Sequence, residues 1–274
     1  MTIEPSDIIS DGFVRMYRQR TDLPFLPENI VSVETPFASL SRLHSAFDAT
    51  AKKESALAGG MPFAWNPEFG YITARPETCG TGLEVSALFH LEGLHLIGDL
   101  EPALNALYGL RMCVSGFCGE GMKDAAHLFR ISNASMLGAE ERDIVSRTGR
   151  VFSDLIHQET NARIRLVEEM PRVFDDAISR SLAILRSCRL LSEWEFMDII
   201  SPLRLAAQLE FLDNFTREEA MSLTRSRINL PQTPAPASFE EQKEKDRRDG
   251  ILADKVNKRF KSVRLNARGK DWLT

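Results

Sequence analysis

A strictly alternating segment at residues 83–91 constrains the fold of this chain more than any other feature. Its apolar side chains occupy every second position: Leu83, Val85, Ala87, Phe89 and Leu91. The positions between them carry Glu84, Ser86, Leu88 and His90. Successive side chains of a β-strand point to opposite faces of the sheet, so the pattern predicts a strand with one buried face. The rest of the chain must build a sheet around this strand.

Strand patterns dominate the first half of the chain and helical patterns the second half. Further strands are predicted at 28–33, 69–75, 110–115 and 127–132. Apolar residues at helical spacing predict helices at 39–58, 139–170, 172–191, 193–211, 217–225 and 239–260. Strands followed by helices are typical of an α+β domain with an antiparallel sheet.

The chain divides by composition into three parts. Residues 1–28 are short, mixed and interrupted by proline, and predict an N-terminal arm or first helix. Residues 29–230 contain the strand and helix patterns of the main domain. Residues 231–274 begin with a proline-rich linker and continue as a charged tail, in which 255–270 contain seven basic residues and no acidic one. This tail favours a solvated charged surface over a nucleic-acid contact.

Composition excludes several classes of protein. The chain has 274 residues, 43% of them hydrophobic, which is enough for one large core or two unequal ones. A net charge of −5 gives no overall case for nucleic-acid binding. No apolar run approaches the roughly 18 residues that cross a bilayer, and no signal peptide is visible, so we expect a cytoplasmic protein. The four cysteines fit neither a disulfide framework nor a metal site.

One run of 18 residues carries a family resemblance. Residues 69–86 read F-G-Y-I-T-A-R-P-E-T-C-G-T-G-L-E-V-S. This run resembles the guanidino-kinase signature F-G-Y-x-T-x-C-P-T-N-x-G-T-G-x-R-x-S. Phe69 opens both runs, and eight further positions agree at unbroken spacing: Gly70, Tyr71, Thr73, Pro76, Gly80, Thr81, Gly82 and Ser86. Arg75 replaces the cysteine of the signature, and Glu84 replaces its arginine.

Other motifs extend the resemblance over roughly residues 28–223. Ile131-Ser-Asn133 with Leu137-Gly138 resembles the I-S-N…L-G run of guanidino kinases, and Gly116-Phe-Cys-Gly-Glu120 lies where they have R-G-T-R-G-E. Segments 181–191 and 201–205 resemble the bacterial protein-arginine kinase branch. The resemblance implies a twisted antiparallel sheet flanked by helices, of the guanidino-kinase and glutamine-synthetase-like type. It also implies one cleft for ATP and a guanidinium substrate, here without the small helical N-terminal domain.

The resemblance also indicates candidate site residues. Glu120 matches a substrate-orienting glutamate, although a loop glutamate is commonly just solvated. Gly116 and Gly119 lie in a loop whose backbone N–H groups can cradle phosphate, and a glycine-rich hairpin explains them equally well. Arg75 and Arg111 are candidate phosphate contacts or salt-bridge partners of Glu84.

Several expected residues are missing from the sequence. The S-x-R-x-R stretch of the family has no recognisable counterpart. Glu34-Thr-Pro-Phe-Ala stands where the family has N-E-E-D-H, and Ser115 replaces a further arginine. At Glu84 the local charge changes by two units, and a charge pair about 4 Å apart is worth about 4 kcal/mol at an effective dielectric near 20. We therefore expect ATP binding to fail.

Two functions are compatible with these residues. The first is a degenerate, catalytically silent kinase-like domain that acts as a binding or regulatory module and needs no cofactor. Its expected partners are a second copy, an active relative or an arginine-bearing peptide. The alternative is an active ATP:guanidino phosphotransferase that uses ATP and magnesium, with Arg42, Arg75 and Arg111 as relocated cations.

Overall fold

The computed structural model describes residues 3–116, 126–134, 138–225 and 238–266. The helices in these ranges are α1 Pro5–Ile8, α2 Leu43–Ala58, α3 Glu92–Leu96, α4 Leu100–Gly109, α5 Glu141–Glu169, α6 Pro171–Ser187, α7 Glu193–Gln208, α8 Arg217–Arg225 and α9 Phe239–Phe260. The strands are β1 Ile9–Gln19, β2 Ile30–Phe37, β3 Trp65–Asn66, β4 Gly70–Tyr71, β5 Leu83–His90, β6 Met112–Gly116, β7 Leu128–Asn133, β8 Leu212–Asp213 and β9 Arg264–Leu265.

Five of these strands form the main sheet, in the order β2-β1-β5-β7-β6, and every neighbouring pair is antiparallel. The alternating segment of the sequence is β5, at the centre. One face of the sheet packs against α2 and α5 and supplies the main core with Val14, Val85 and Phe89. The predicted α+β class with an antiparallel sheet flanked by helices is confirmed.

The N-terminal segment departs from the prediction. Residues 1–28 were predicted as an arm or first helix, but 9–19 form β1, which pairs with both β2 and β5. The strand pattern was obscured because its buried face carries an arginine: Val14, Met16 and Arg18 are all almost fully buried. The segment therefore belongs to the sheet, and it brings new side chains to the centre of the molecule.

The strand predicted at 69–75 is also wrong in extent. Only Gly70 and Tyr71 are in strand conformation, and they pair with Trp65–Asn66 outside the main sheet. Gly70 has a φ of +76°, and a Cβ there would lie 2.7 Å from the carbonyl oxygen of Gly80. The chain then turns through a short 3-10 helix at Pro76–Thr78. The close backbone approach at Gly70 keeps this segment in a compact hairpin.

A second apolar core lies among the helices of the C-terminal half. It is built mainly from α6, α7 and α9, and buried residues of α9 such as Ala253, Val256 and Phe260 take part. The tail predicted after residue 231 thus contains a helix that packs on the rest of the chain, chiefly on α6. The linker at 231–237 lies outside the described residues. No described helix combines the length and apolar character needed to cross a membrane.

Candidate functional site

The face of the sheet opposite the main core is mostly polar, and we call it the open face. Alternation and strand register place these side chains on it: Phe13, Arg15 and Tyr17 of β1, Ser32, Glu34 and Pro36 of β2, Glu84 and Ser86 of β5, Arg130 and Ser132 of β7, and Cys113 and Ser115 of β6. Helix α7 covers the far end of this face, where Met197 packs on Leu88 and Leu128. The part of the open face that α7 leaves uncovered is the candidate site.

Arg15 lies at the centre of the open face between two carboxylates. It is the direct cross-strand partner of Glu34 on one side and of Glu84 on the other. Its Nε donates to Oε2 of Glu34 at 2.8 Å, and its Nη2 contacts the same oxygen. Its Nη1 lies 3.5 Å from Oε2 of Glu84. The guanidinium is therefore neutralised from both sides.

Tyr17 completes this network. Its hydroxyl donates to Oε2 of Glu84 at 2.6 Å and accepts from Nη1 of Arg15 at 3.0 Å. Burial, followed by the hydrogen bond to Glu84, raises the pKa of Tyr17. Burial alone would lower the pKa of Arg15, but the hydrogen bonds to Tyr17 and Glu34 outweigh it and raise that pKa. Both groups therefore keep their protons at neutral pH.

Arg130 is a second cation on the open face, and its surroundings differ. Its Nη1 donates to Oγ of Ser86 at 3.4 Å and to the carbonyl oxygen of Asp11 at 3.5 Å, both long hydrogen bonds. Its guanidinium carbon lies 5.4 Å from the ring centroid of Phe13. Burial lowers the pKa of Arg130, although the charges of Asp11 and Glu84 oppose that change. Within the described residues no carboxylate forms an ion pair with it.

The predicted face of Glu84 is confirmed, but its predicted partners are wrong. Glu84 was expected to pair with Arg75 or Arg111, and it contacts Arg15 and Tyr17 instead. Arg75 is exposed at the start of the 3-10 turn. Arg111 is exposed just before the edge strand β6, which β7 separates from β5. Register, which the sequence does not reveal, placed a different arginine beside the glutamate.

The other predicted positions are only partly covered. Gly116 is the last residue of β6 and is paired with Phe129. Gly119 and Glu120 lie outside the described residues. Arg42 is exposed at the N-terminus of α2, the helix that packs on the core face of the sheet. The described structure therefore does not bring the candidate cations Arg42, Arg75 and Arg111 into the Arg15 network.

Sequence reasoning missed Arg15, Tyr17 and Arg130. A usable signal was present in β1, where Phe13, Arg15 and Tyr17 alternate with Val14 and Met16. Reading that alternation as a strand would have placed Arg15 in a sheet. Arg130 lies in the predicted strand at 127–132, on the polar side of its alternation.

Two family models match the chain. ATP:guanido phosphotransferase, C-terminal catalytic domain, matches residues 30–162, and Protein-arginine kinase McsB C-terminal domain matches residues 171–270. The chain belongs to the ATP:guanido phosphotransferase family. The first match ends at residue 162 and the second begins at residue 171, near the junction of α5 and α6.

Protein-arginine kinases are among the relatives that are most similar to this chain. That of Listeria monocytogenes serotype 4b is 32% identical over 182 residues, which cover 66% of this chain and 54% of the relative. That of Geobacillus stearothermophilus is 32% identical over 201 residues, covering 72% and 55%. The chain thus spans about half the length of these curated relatives.

Two solved structures of guanidino kinases show a weaker likeness. Lombricine kinase matches with 26% identity and a TM-score of 0.38, over 48% of this chain and 36% of that chain. The duplicated taurocyamine kinase from Schistosoma mansoni with bound transition-state-analogue components matches with 11% identity and a TM-score of 0.46, over 69% and 40%.

Beneath the open face, Arg18 anchors the glycine-rich part of the ATP:guanido phosphotransferase signature. Its Nε donates to Oε1 of Glu54 at 2.7 Å, and its Nη1 donates to the carbonyl oxygen of Thr81 at 2.9 Å. Its guanidinium stacks on Tyr71, 3.5 Å from the ring centroid. Gly82 fits beside it with a φ of +58°, where a Cβ would lie 2.5 Å from the carbonyl oxygen of Tyr17. These contacts hold the start of β5, and hence Glu84, in place.

Acidic, histidine and cysteine side chains are not clustered for metal binding in the part of the chain that the structure describes.

Proposed function

We propose that this chain is a catalytically silent guanido phosphotransferase-like domain that acts as a binding or regulatory module. One observation carries the proposal: the central arginine of the open face, Arg15, is held between Glu34 and Glu84. A guanidinium already paired with two carboxylates has little attraction left for a triphosphate.

Transfer of a phosphoryl group depends on positioned positive charge around the transferring oxygens. Removing one donor that stabilises such a transition state typically costs about 2.7–4 kcal/mol, a factor of a hundred or more. Position 84 is an arginine in the family and a glutamate here, and this glutamate also forms an ion pair with Arg15. The loss of one arginine and the neutralisation of another both weaken binding of a triphosphate, which supports a silent domain without a cofactor.

Arg130 favours a second candidate function, an active ATP:guanidino phosphotransferase with relocated cations. It lies on the open face, directly across the β6–β7 ladder from Ser115, the position where the family has an arginine. In that case ATP and magnesium would be the cofactors, and Arg130 would replace the predicted set of Arg42, Arg75 and Arg111. Among the described residues of the open face, Arg130 is the one arginine without an ion pair, and a triphosphate needs more positive charge than this, so we favour the silent domain.

A transfer assay tests the proposal. The purified chain is incubated with γ-labelled ATP and magnesium, with free arginine in one arm and an arginine-rich protein in the other. An active protein-arginine kinase serves as the positive control. We expect no acid-labile label above background in either arm. Label on arginine that requires this chain would refute the silent domain and support the alternative.

A silent domain would act through a partner, and three partners fit the family. They are a second copy of the chain, an active relative and an arginine-bearing polypeptide. Co-purification and analytical ultracentrifugation of the chain, alone and mixed with an active protein-arginine kinase, would test the first two. A chain that is monomeric alone and unchanged in the mixture would leave only the polypeptide.

A further inference from the structure

Arg130 is a partly buried guanidinium whose hydrogen-bonding capacity is only partly used. A guanidinium has five N–H donors. In the described residues only Nη1 of Arg130 donates, to Ser86 and to the backbone of Asp11, over 3.4 and 3.5 Å. Burial also lowers its pKa, because a desolvated cation without a close counter-ion is disfavoured. The group is therefore a cation that an incoming anion would stabilise.

Serines of three strands lie near this cation on the open face, and its direct partner on β5 is the apolar Leu88. Ser115 of β6 is the direct cross-strand partner of Arg130, and Ser86 of β5 is paired with Ser132, two residues farther along β7. Directly opposite residues in a sheet have Cβ atoms about 4.5–5.5 Å apart. A guanidinium fork with several hydroxyl donors matches a compact oxyanion, because each oxygen of the anion can receive its own hydrogen bond.

Phe13 fixes the direction of the guanidinium. Its ring lies beside both arginines of the open face, 4.2 Å from the guanidinium carbon of Arg15 and 5.4 Å from that of Arg130. A cation over an aromatic face is held there by the ring quadrupole. The Arg130 fork is thus placed before any ligand arrives, which reduces the entropy lost on binding.

The charge of the surroundings limits the size of the anion. Arg15 and Arg130 supply two positive charges, whereas Asp11, Glu34 and Glu84 supply three negative ones, so these five groups sum to −1. A triphosphate extended along the face would meet Glu84, whereas a single phosphoryl group can remain at Arg130.

We propose that Arg130, with Ser86, Ser115 and Ser132, forms a binding site for one compact oxyanion of the phosphate class. The site goes beyond the proposed function, because it requires only binding and holds whether or not the chain transfers a phosphoryl group.

Calorimetric titration with inorganic phosphate tests the site. Potassium chloride at matched ionic strength is the control, because exposed charges are screened by salt. We expect saturable binding of phosphate and none of chloride. Arg130→Gln should weaken binding about tenfold or more, since hydrogen bonds to a charged group are lost. Arg130→Lys, which keeps the charge but not the fork, should give an intermediate loss.

Control variants show whether a loss of phosphate binding is specific to Arg130. Arg172→Gln removes an exposed arginine on α6 and should bind phosphate as the unchanged protein does. A thermal melt of each variant confirms that it is folded. Glycerol phosphate in place of phosphate distinguishes the source, because tighter binding of either ligand identifies a free or an esterified phosphoryl group. No phosphate effect beyond that of chloride, or equal affinity in Arg130→Gln, would overturn the site.

The transfer assay tests the silent domain, and the phosphate titration tests the anion site, so a negative result for one proposal does not decide the other. A chain that binds phosphate but also labels arginine would refute the silent domain and leave the anion site intact. A chain that does neither would leave the silent domain and remove the anion site.

Discussion

The guanidinium Nη1 of Arg15 lies 3.5 Å from Oε2 of Glu84, on neighbouring strands at the centre of the open face. The two residues are direct partners in the β1–β5 ladder, so the contact is fixed by strand register rather than by a flexible loop. A glutamate at a position where the family has an arginine therefore does more than remove a cation. Its carboxylate also forms an ion pair with the neighbouring cation, Arg15.

Neutralising the two carboxylates should release Arg15. In Glu34→Gln/Glu84→Gln the five charged groups counted above would change from a net charge of −1 to +1, which favours polyanions. We expect the affinity for inorganic tripolyphosphate, measured by calorimetry at low salt, to rise about tenfold or more. Glu101→Gln, at an exposed position on α4, is the matched control and should leave the affinity unchanged. An unchanged double variant would show that Arg15 is not limiting.

The buried pair of Arg18 and Glu54 should be essential for stability. The two side chains are 3% and 11% exposed, and removing one partner of a buried ion pair typically costs about 3–5 kcal/mol. We expect Arg18→Met to lower the free energy of unfolding by this amount in urea denaturation. Arg180→Met removes an arginine that is 76% exposed and paired with Asp176, and should cost less than about 0.5 kcal/mol. Similar losses in both variants would contradict this role of Arg18.

Gly82 should not tolerate a side chain. Its φ of +58° and the 2.5 Å approach to the carbonyl oxygen of Tyr17 leave no room for a Cβ. Gly82→Ala is expected to destabilise the protein by about 1–3 kcal/mol, measured by thermal and urea unfolding. Gly109→Ala is the comparison, because a Cβ there meets no atom within 4 Å, and it should be neutral or slightly stabilising. A tolerated Gly82→Ala would mean that the start of β5 differs from the structure.

His90 should make the fold sensitive to acid. It is fully buried, and its Nε2 lies 2.9 Å from Oγ of Ser201. The single Ser201 proton is directed to an oxygen, either of Glu92 or of Ala126, so Nε2 of His90 is the donor. Burial, followed by the positive charges of Arg204, Arg163 and His127, lowers the pKa of His90 well below 6.5.

The sign of the pH effect follows from that lowered pKa. Below about pH 6.5 the unfolded chain takes up a proton that folded His90 does not, so the free energy of unfolding falls as the pH falls. The loss is about 1.4 kcal/mol per pH unit while one proton separates the two states. Urea denaturation between pH 7.5 and 5.5 measures this slope. His90→Gln should reduce it and the exposed His157→Gln should not; equal slopes in all three proteins would exclude His90 as the cause.

The sequence predicted the parts of the fold in which hydrophobic spacing and burial agree. Strand β5 and the long helix α5 are examples, because their buried residues are apolar and recur at the spacing of a strand or a helix. Strand β1 was missed because a fully paired arginine is buried on its core face, and Arg18 reads as a surface residue until Glu54 and Tyr71 are seen around it.

The sequence predicted only part of the candidate site. Alternation correctly placed Glu84 on the polar face of β5. Its partner was not predictable, because Arg15 is far away in sequence and meets it only through the register of two strands. Arg130 was not singled out for the same reason, since its neighbours Ser86 and Ser115 belong to other strands.

Titration of the unmodified chain with ATP and magnesium, followed by thermal unfolding, tests whether Arg15 is unavailable to a nucleotide. A ligand at 100 times its dissociation constant stabilises the native state by about 2.7 kcal/mol, which is readily detected. We predict no shift at millimolar nucleotide, because Arg15 is occupied by Glu34 and Glu84. A saturable shift that disappears in Arg15→Gln would show that Arg15 binds the nucleotide, and would refute the proposal that Glu34 and Glu84 keep it from doing so.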